Sequence, residues 1–150
     1  MHAALSLKSV LLARHAQHVV LIHFPIALFL IGVLFDFAAR WTKREALATV
    51  AFYNIVIAAV FVVPVVITGL LAWRWQLEGQ RLHGLLLLHL VFGCASAVLI
   101  IASAWLQISA RRTAGDASLR YRFPVELAAA MVVAITAHLG GFLSGVNSAV

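Results

Sequence analysis

Four long stretches of the chain carry no Asp, Glu, Lys or Arg: between Arg14 and Asp36, between Glu45 and Arg74, between Arg81 and Arg111, and from Leu127 to the end. Each is close to the roughly 20 apolar residues a helix needs to cross about 30 Å of hydrocarbon. They predict four transmembrane helices near residues 17–39, 46–73, 83–108 and 124–144. The short connections force sequential neighbours to run antiparallel. The expected fold is therefore all-α: a single integral-membrane domain, an up-down-up-down four-helix bundle with both termini on one side. Ahead of the first span, "LSLKSVLLARHAQ" reads as a short amphipathic helix on the membrane surface, within an interfacial segment 1–16.

The few charges set the orientation. Let side A hold both termini and the connection 74–82, and side B the connections 40–45 and 109–123. Side B then carries Arg40, Lys43, Arg44, Arg111, Arg112, Arg120 and Arg122, against Lys8, Arg14, Arg74 and Arg81 on side A. The excess makes B the cytoplasmic side of a bacterial inner membrane and puts both termini in the periplasm. Trp73 and Trp75 on A, and Trp41, Trp105 and Tyr121 on B, fall where aromatic belts form.

Composition agrees. The chain is 64% hydrophobic and 11% charged, with a mean hydropathy of +1.04, more apolar surface than 150 residues can hide without lipid. The net charge of +6 forms no basic tract that would suit nucleic acid; it is spread over the loops. The single cysteine, Cys94, excludes a disulfide framework and covalent haem attachment through C-x-x-C-H. The first 17 residues lack the layout of a signal peptide. No internal repeat, low-complexity tract or soluble domain is evident. Pro64 removes a backbone hydrogen bond from the second span and predicts a kink there, relieved by Thr68 and Gly69.

The candidate chemistry lies in seven histidines, His2, His15, His18, His23, His83, His89 and His138, all in the A half of this topology. At 1.5 Å per residue, His23, His89 and His138 lie about 9–13 Å inside three different helices. His18 and His83 sit nearer the surface, and point about 140° and 120° away from His23 and His89 respectively. Small residues select the deeper rings: Gly93, Ser96 and Ala97 share a face with His89, and Ala134, Gly141 and Gly145 share one with His138. His23, His89 and His138 are thus the expected cofactor or metal ligands, with His18 and His83 as weaker metal candidates. His2, His15, His18 and His83 taken singly read as ordinary core or interfacial imidazoles.

Several chemistries drop out. Glu78, in a loop, is the only carboxylate on side A, so neither paired-carboxylate catalysis nor a hydrolytic triad can be assembled there. Asp36 and Glu126 belong to side B, where Arg40 and Arg122 are expected to pair with them. Three histidines suit copper or zinc. Haem b, held by two neutral imidazoles from facing helices, fits best. Phe24, Phe92 and Phe142 would wall the ring, and Arg14, Arg74 or Arg81 would pair with its propionates. Diagonal placement favours His23 with His89.

The stretch "HVVLIHFPIALFLIGVLFD" resembles the H-P-x-x-x-H-F-P-I-A-L signature of a bacterial membrane family, domain of unknown function 2231. "TGLLAWRWQLEGQRLHGLLLLHL" and "AHLGGFLSGVN" are similar to its later motifs. The matching positions are His18, His23, Pro25, Asp36, Gly69, Gly140 and Gly141; Val19 departs from the pattern, which has proline there. The family is similar in outline to four-helix b-type cytochromes, and related domains are fused to cytochrome c modules. The resemblance therefore implies respiratory electron transfer with a membrane or periplasmic redox partner such as a cytochrome c. The chain is more readily an electron-transfer or accessory subunit of an oligomer or larger complex than an enzyme in itself. The alternatives are a cofactor-free scaffold or anchor subunit and a periplasm-facing copper or zinc site.

Overall fold

The computed structural model describes residues 14–75, 78–79, 81–112 and 119–145. They form four helices, α1 (Arg14–Thr42), α2 (Glu45–Trp75), α3 (Gly84–Arg112) and α4 (Leu119–Leu143). All four are long and apolar enough to cross a membrane, and no strand occurs among the described residues. The protein is an all-α four-helix membrane bundle. Most of the expected interfacial helix, residues 1–13, lies outside the described residues; Arg14 to Ala16 already belong to α1.

The ends follow helix-terminus chemistry. Arg40 closes α1 and Glu45 opens α2, each with the sign the helix dipole favours. Between them Lys43 turns the chain with a φ of 58°, and the Arg44 carbonyl accepts from the Leu47 and Ala48 N–H groups. Helix α2 is assigned without a break through Pro64. The Thr68 hydroxyl lies 2.9 Å from the Pro64 carbonyl and 3.0 Å from that of Val65, and donates to them.

Helix α1 packs most closely on α2 and α3 on α4; the α2–α3 contact is looser, and α1–α4 the loosest. Two hairpins therefore stand side by side. Phe29, Ile55, Ala58, Ile100, Ala129 and Val133 fill the space between them. Leu34, Val60 and Val98 point outward and stay exposed, as lipid-facing residues do.

The two hairpins correspond in the spacing of their buried positions, although few of the residues are the same. A shift of 71 residues carries His18 onto His89, Arg40 onto Arg111, Phe52 onto Phe123 and Gly69 onto Gly140 without a gap. The buried positions shift with them. Pro25, Phe29, Gly32, Val33 and Asp36 are buried in α1; Ser96, Ile100, Ser103, Ala104 and Gln107 are buried in α3. Ile55, Ala58 and Val62 of α2 likewise correspond to Glu126, Ala129 and Val133 of α4. Contacts between the hairpins also come in pairs. The Arg40 guanidinium covers the Phe123 ring at 5.0 Å, and Arg111 covers Phe52 at 3.9 Å. Exchanging the halves turns one contact into the other, whereas the Arg122–Asp36 bond is not repeated, since the positions 71 residues away hold Ala51 and Gln107. Each half has two spans, so both halves keep the same orientation in the membrane.

Candidate functional site

At the A end, His18 stands seven and eleven residues before Pro25 and Phe29, close to two and three whole helical turns. It thus continues the buried stripe of α1 toward the bundle interior. The residue it meets on α2 is Gly69, where a Cβ would come within 2.9 Å of His18 Cε1. Only glycine admits the ring there. The His18 Nδ1 lies 3.2 Å from the Thr68 hydroxyl oxygen. Thr68 already donates its proton to backbone carbonyls, so Nδ1 carries the hydrogen and donates to Thr68. Nε2 is then the nitrogen with the basic lone pair.

His89 repeats the arrangement between α3 and α4. It continues the stripe of Ser96, Ile100 and Ser103, and rests on Gly140, where a Cβ would lie 3.1 Å from its Cε1. Below it the Thr136 hydroxyl donates to the Val132 carbonyl at 2.8 Å and accepts from the Ser96 hydroxyl at 2.8 Å, joining the two helices. The imidazole lies against the Thr136 backbone. Its Nδ1 is nevertheless buried without a well-formed hydrogen bond. Each ring thus rests on a glycine of the next helix in its own hairpin, at positions 71 residues apart in the sequence.

The other expected site residues lie elsewhere. His23 is exposed, about 140° around α1 from His18. Its Nδ1 donates to the Val19 carbonyl at 2.7 Å. His138 is exposed and packs edge-on against Phe142 at 4.9 Å, and His83 is exposed just before α3. Phe24 is exposed and stacks on Phe61 at 5.5 Å; Phe92 and Phe142 are half-buried. Gly93 and Gly141 are half-buried, and a Cβ on Gly93 would meet only Thr136 Cγ2, at 3.9 Å. Arg74 and Arg81 are exposed. Among the described residues, no three or more His, Cys, Asp or Glu side chains are grouped to hold one metal ion, so His23, His89 and His138 do not form such a group.

What sequence reasoning missed was Gly69 and Gly140 as the seats of His18 and His89. A signal existed: each histidine precedes its glycine by 51 residues.

Side B holds a polar cluster. Asp36, 1% exposed, accepts from Arg40 Nε through Oδ2 and from Arg122 NH2 through Oδ1, both at 2.6 Å. Glu126, fully buried, accepts from Gln107 Nε2 at 2.8 Å, while Arg122 Nε stays 3.9 Å away. The expected pairing of Asp36 with Arg40 is present. Arg122, however, serves Asp36 more closely than Glu126.

Residues 14–147 match the family described as "Predicted membrane protein (DUF2231)", and the chain belongs to that family. Comparison with curated proteins and with solved structures finds no match.

Proposed function

Taking that family membership as the premise, we propose that this four-span membrane protein is an electron-transfer subunit that binds haem b at its A end, between the two hairpins, through His18 and His89. The observation that carries this reading is the pair of corresponding imidazoles, each seated on a glycine and each in line with the buried stripe of its helix. His18 and His89 would be the residues that hold the haem.

The donor set fits. Neutral imidazoles are haem ligands, and the His18–Thr68 hydrogen bond orients one ring and presents Nε2 as its donor nitrogen. The Nδ1 of His89 is buried against the Thr136 backbone without a well-formed hydrogen bond. Haem b would supply a one-electron iron couple; the apolar bundle around the two rings excludes water. Arg74 and Arg81, exposed at this end, are the cations that would pair with propionates. The loop arginines support an inner-membrane protein with periplasmic termini, so the haem would face a periplasmic or membrane redox partner such as a cytochrome c.

A second reading, a cofactor-free anchor subunit of a respiratory complex, is favoured by the size of the spaces. The cleft beside His18, lined by Gln17, Thr68, Leu71 and Trp75, measures about 120 Å³. Ligand pockets usually run to about 300–1,000 Å³. Haem binding would require the hairpins to separate, which the loose α1–α4 contact permits.

A reduced-minus-oxidised absorption spectrum of the purified protein separates the two. The haem reading expects a low-spin α-band, lost in His18→Ala and His89→Ala and kept in His23→Ala and His138→Ala. A protein with no haem, isolated from haem-replete cells, leaves the anchor reading. Stoichiometric copper or zinc in place of haem would return the metal site to consideration.

A further inference from the structure

The carboxyl groups of Asp36 and Glu126 flank one guanidinium, that of Arg122, with Asp36 Oδ1 at 2.6 Å and Glu126 Oε1 at 3.9 Å from its nitrogens. We propose that they form a proton-binding site reached from side B, with the proton carried on Glu126.

The accounting of oxygen atoms leads there. Asp36 has both oxygens engaged by guanidinium N–H groups, Oδ1 by Arg122 and Oδ2 by Arg40. Glu126 receives one donor, Gln107, on Oε1. Its Oε2 is buried and has no donor. An ionised Glu126 would hold a charge in the bundle interior with one oxygen bare and a second carboxylate alongside, which is costly in a medium of low dielectric. Placing one proton on Oε2 removes the charge and turns the bare acceptor into a donor. Asp36 stays ionised, held by two arginines. Binding adds one proton to Oε2 and breaks no bond.

Helix α1 contributes Asp36 and Arg40, α3 the neutral Gln107, and α4 Arg122 and Glu126. The buried stripe of α2 brings Ala51, Ile55 and Ala58 to this level. Arg122 is the cation that opposes the proton: its Nε, buried without a hydrogen-bond partner, stays 3.9 Å from Glu126 Oε1, beyond hydrogen-bonding distance, while its short bond goes to Asp36.

The correspondence of the hairpins shows that the pair is built across the two halves. The counterpart of Asp36 is Gln107 and that of Glu126 is Ile55, so neither hairpin alone carries acids at both positions. Access is from side B. A cleft of about 260 Å³ opens there beside Lys43 and Glu45, and Arg40 and Arg122 line it as well as the cluster. Arg40 and Arg122 thus link the cleft to the two acids.

Infrared spectroscopy of the wild-type protein in lipid vesicles at neutral pH tests the assignment. A carbonyl band of a protonated carboxylic acid is expected, shifted in heavy water and absent from Glu126→Gln. Glutamine keeps an acceptor for Gln107 and a donor, so the variant should fold. If it does not, carbon-13 NMR of glutamate-labelled wild-type protein decides without substitution. Of the three glutamates, Glu45, Glu78 and Glu126, one should give the carboxyl shift of a neutral acid at neutral pH. Three ionised glutamates, or a band that survives Glu126→Gln, would overturn the proposal.

Discussion

Adding one carbon at Gly69 or Gly140 tests the seating of the imidazoles. The new Cβ would lie 2.9 Å from His18 Cε1 or 3.1 Å from His89 Cε1. Carbon atoms rest at about 3.5–4.0 Å, so each ring must withdraw by roughly half an ångström. For His18 that retreat stretches a bond to Thr68 already at 3.2 Å, beyond useful range. Overpacking costs about 1–3 kcal/mol and the lost hydrogen bond about 1 kcal/mol. Against this, replacing glycine by alanine inside a helix gains about 0.5–1 kcal/mol. The net expectation is a loss of about 1–3 kcal/mol at Gly69, and about 0.5–2 kcal/mol at Gly140, where the contact is longer. Gly93→Ala is the control. Its Cβ makes an ordinary contact, so only the helix gain remains and the variant should be as stable as wild type or slightly more so. Reversible unfolding by SDS titration in mixed micelles measures all three. The double variant Gly69→Ala with His18→Ala should then be less impaired than the sum of its parts, because the clash has gone. Equal stability of Gly69→Ala, Gly140→Ala and Gly93→Ala would refute the seating.

Gly32→Ala should be among the most damaging small changes, because its Cβ would lie 2.7 Å from Ile55 Cγ1 and 3.3 Å from the Ala51 carbonyl, at the closest helix pair. Ile55→Ala in the same chain should recover part of the loss in the same titration. Asp36→Asn leaves Arg122, at 19% side-chain exposure, without its short ion pair, and should cost about 3–5 kcal/mol; wild-type stability would mean the pair does not form in the membrane. Gln107→Leu removes the one donor to Glu126 and should cost about 1–3 kcal/mol, with Glu126→Leu added on top recovering most of it. Reporter fusions at Val150 and within 113–118 should report opposite sides of the membrane, with the C terminus periplasmic.

Much of the fold was legible along the chain. Charge-free runs of about 20 residues mean the same thing in any surroundings, because backbone groups in hydrocarbon must satisfy one another within a helix. The side-B arginines and acids were also readable as partners, since ion pairing is nearly obligatory for charges near lipid. The histidines were harder. Helical angles alone separate His18 from His23 and His83 from His89, but not which of each pair faces inward. Gly93 and Gly141 were reasonable guides, yet the glycines under the rings are Gly69 and Gly140, both on neighbouring helices.

The correspondence of the hairpins divides the two levels most clearly. Its residues were in the sequence throughout, but outward positions exchange freely among apolar side chains, as at Leu34 and Trp105, which correspond and are both exposed. Lipid solvates either one equally well, so the correspondence shows in which positions are buried more than in which residues fill them. Which positions those are depends on which helices touch. Sequence alone determined four spans, their connections and the balance of charge. Packing decided that His18 and His89 rest on Gly69 and Gly140, and that Arg122 bonds Asp36 more closely than Glu126, because both depend on distances between residues far apart in the chain.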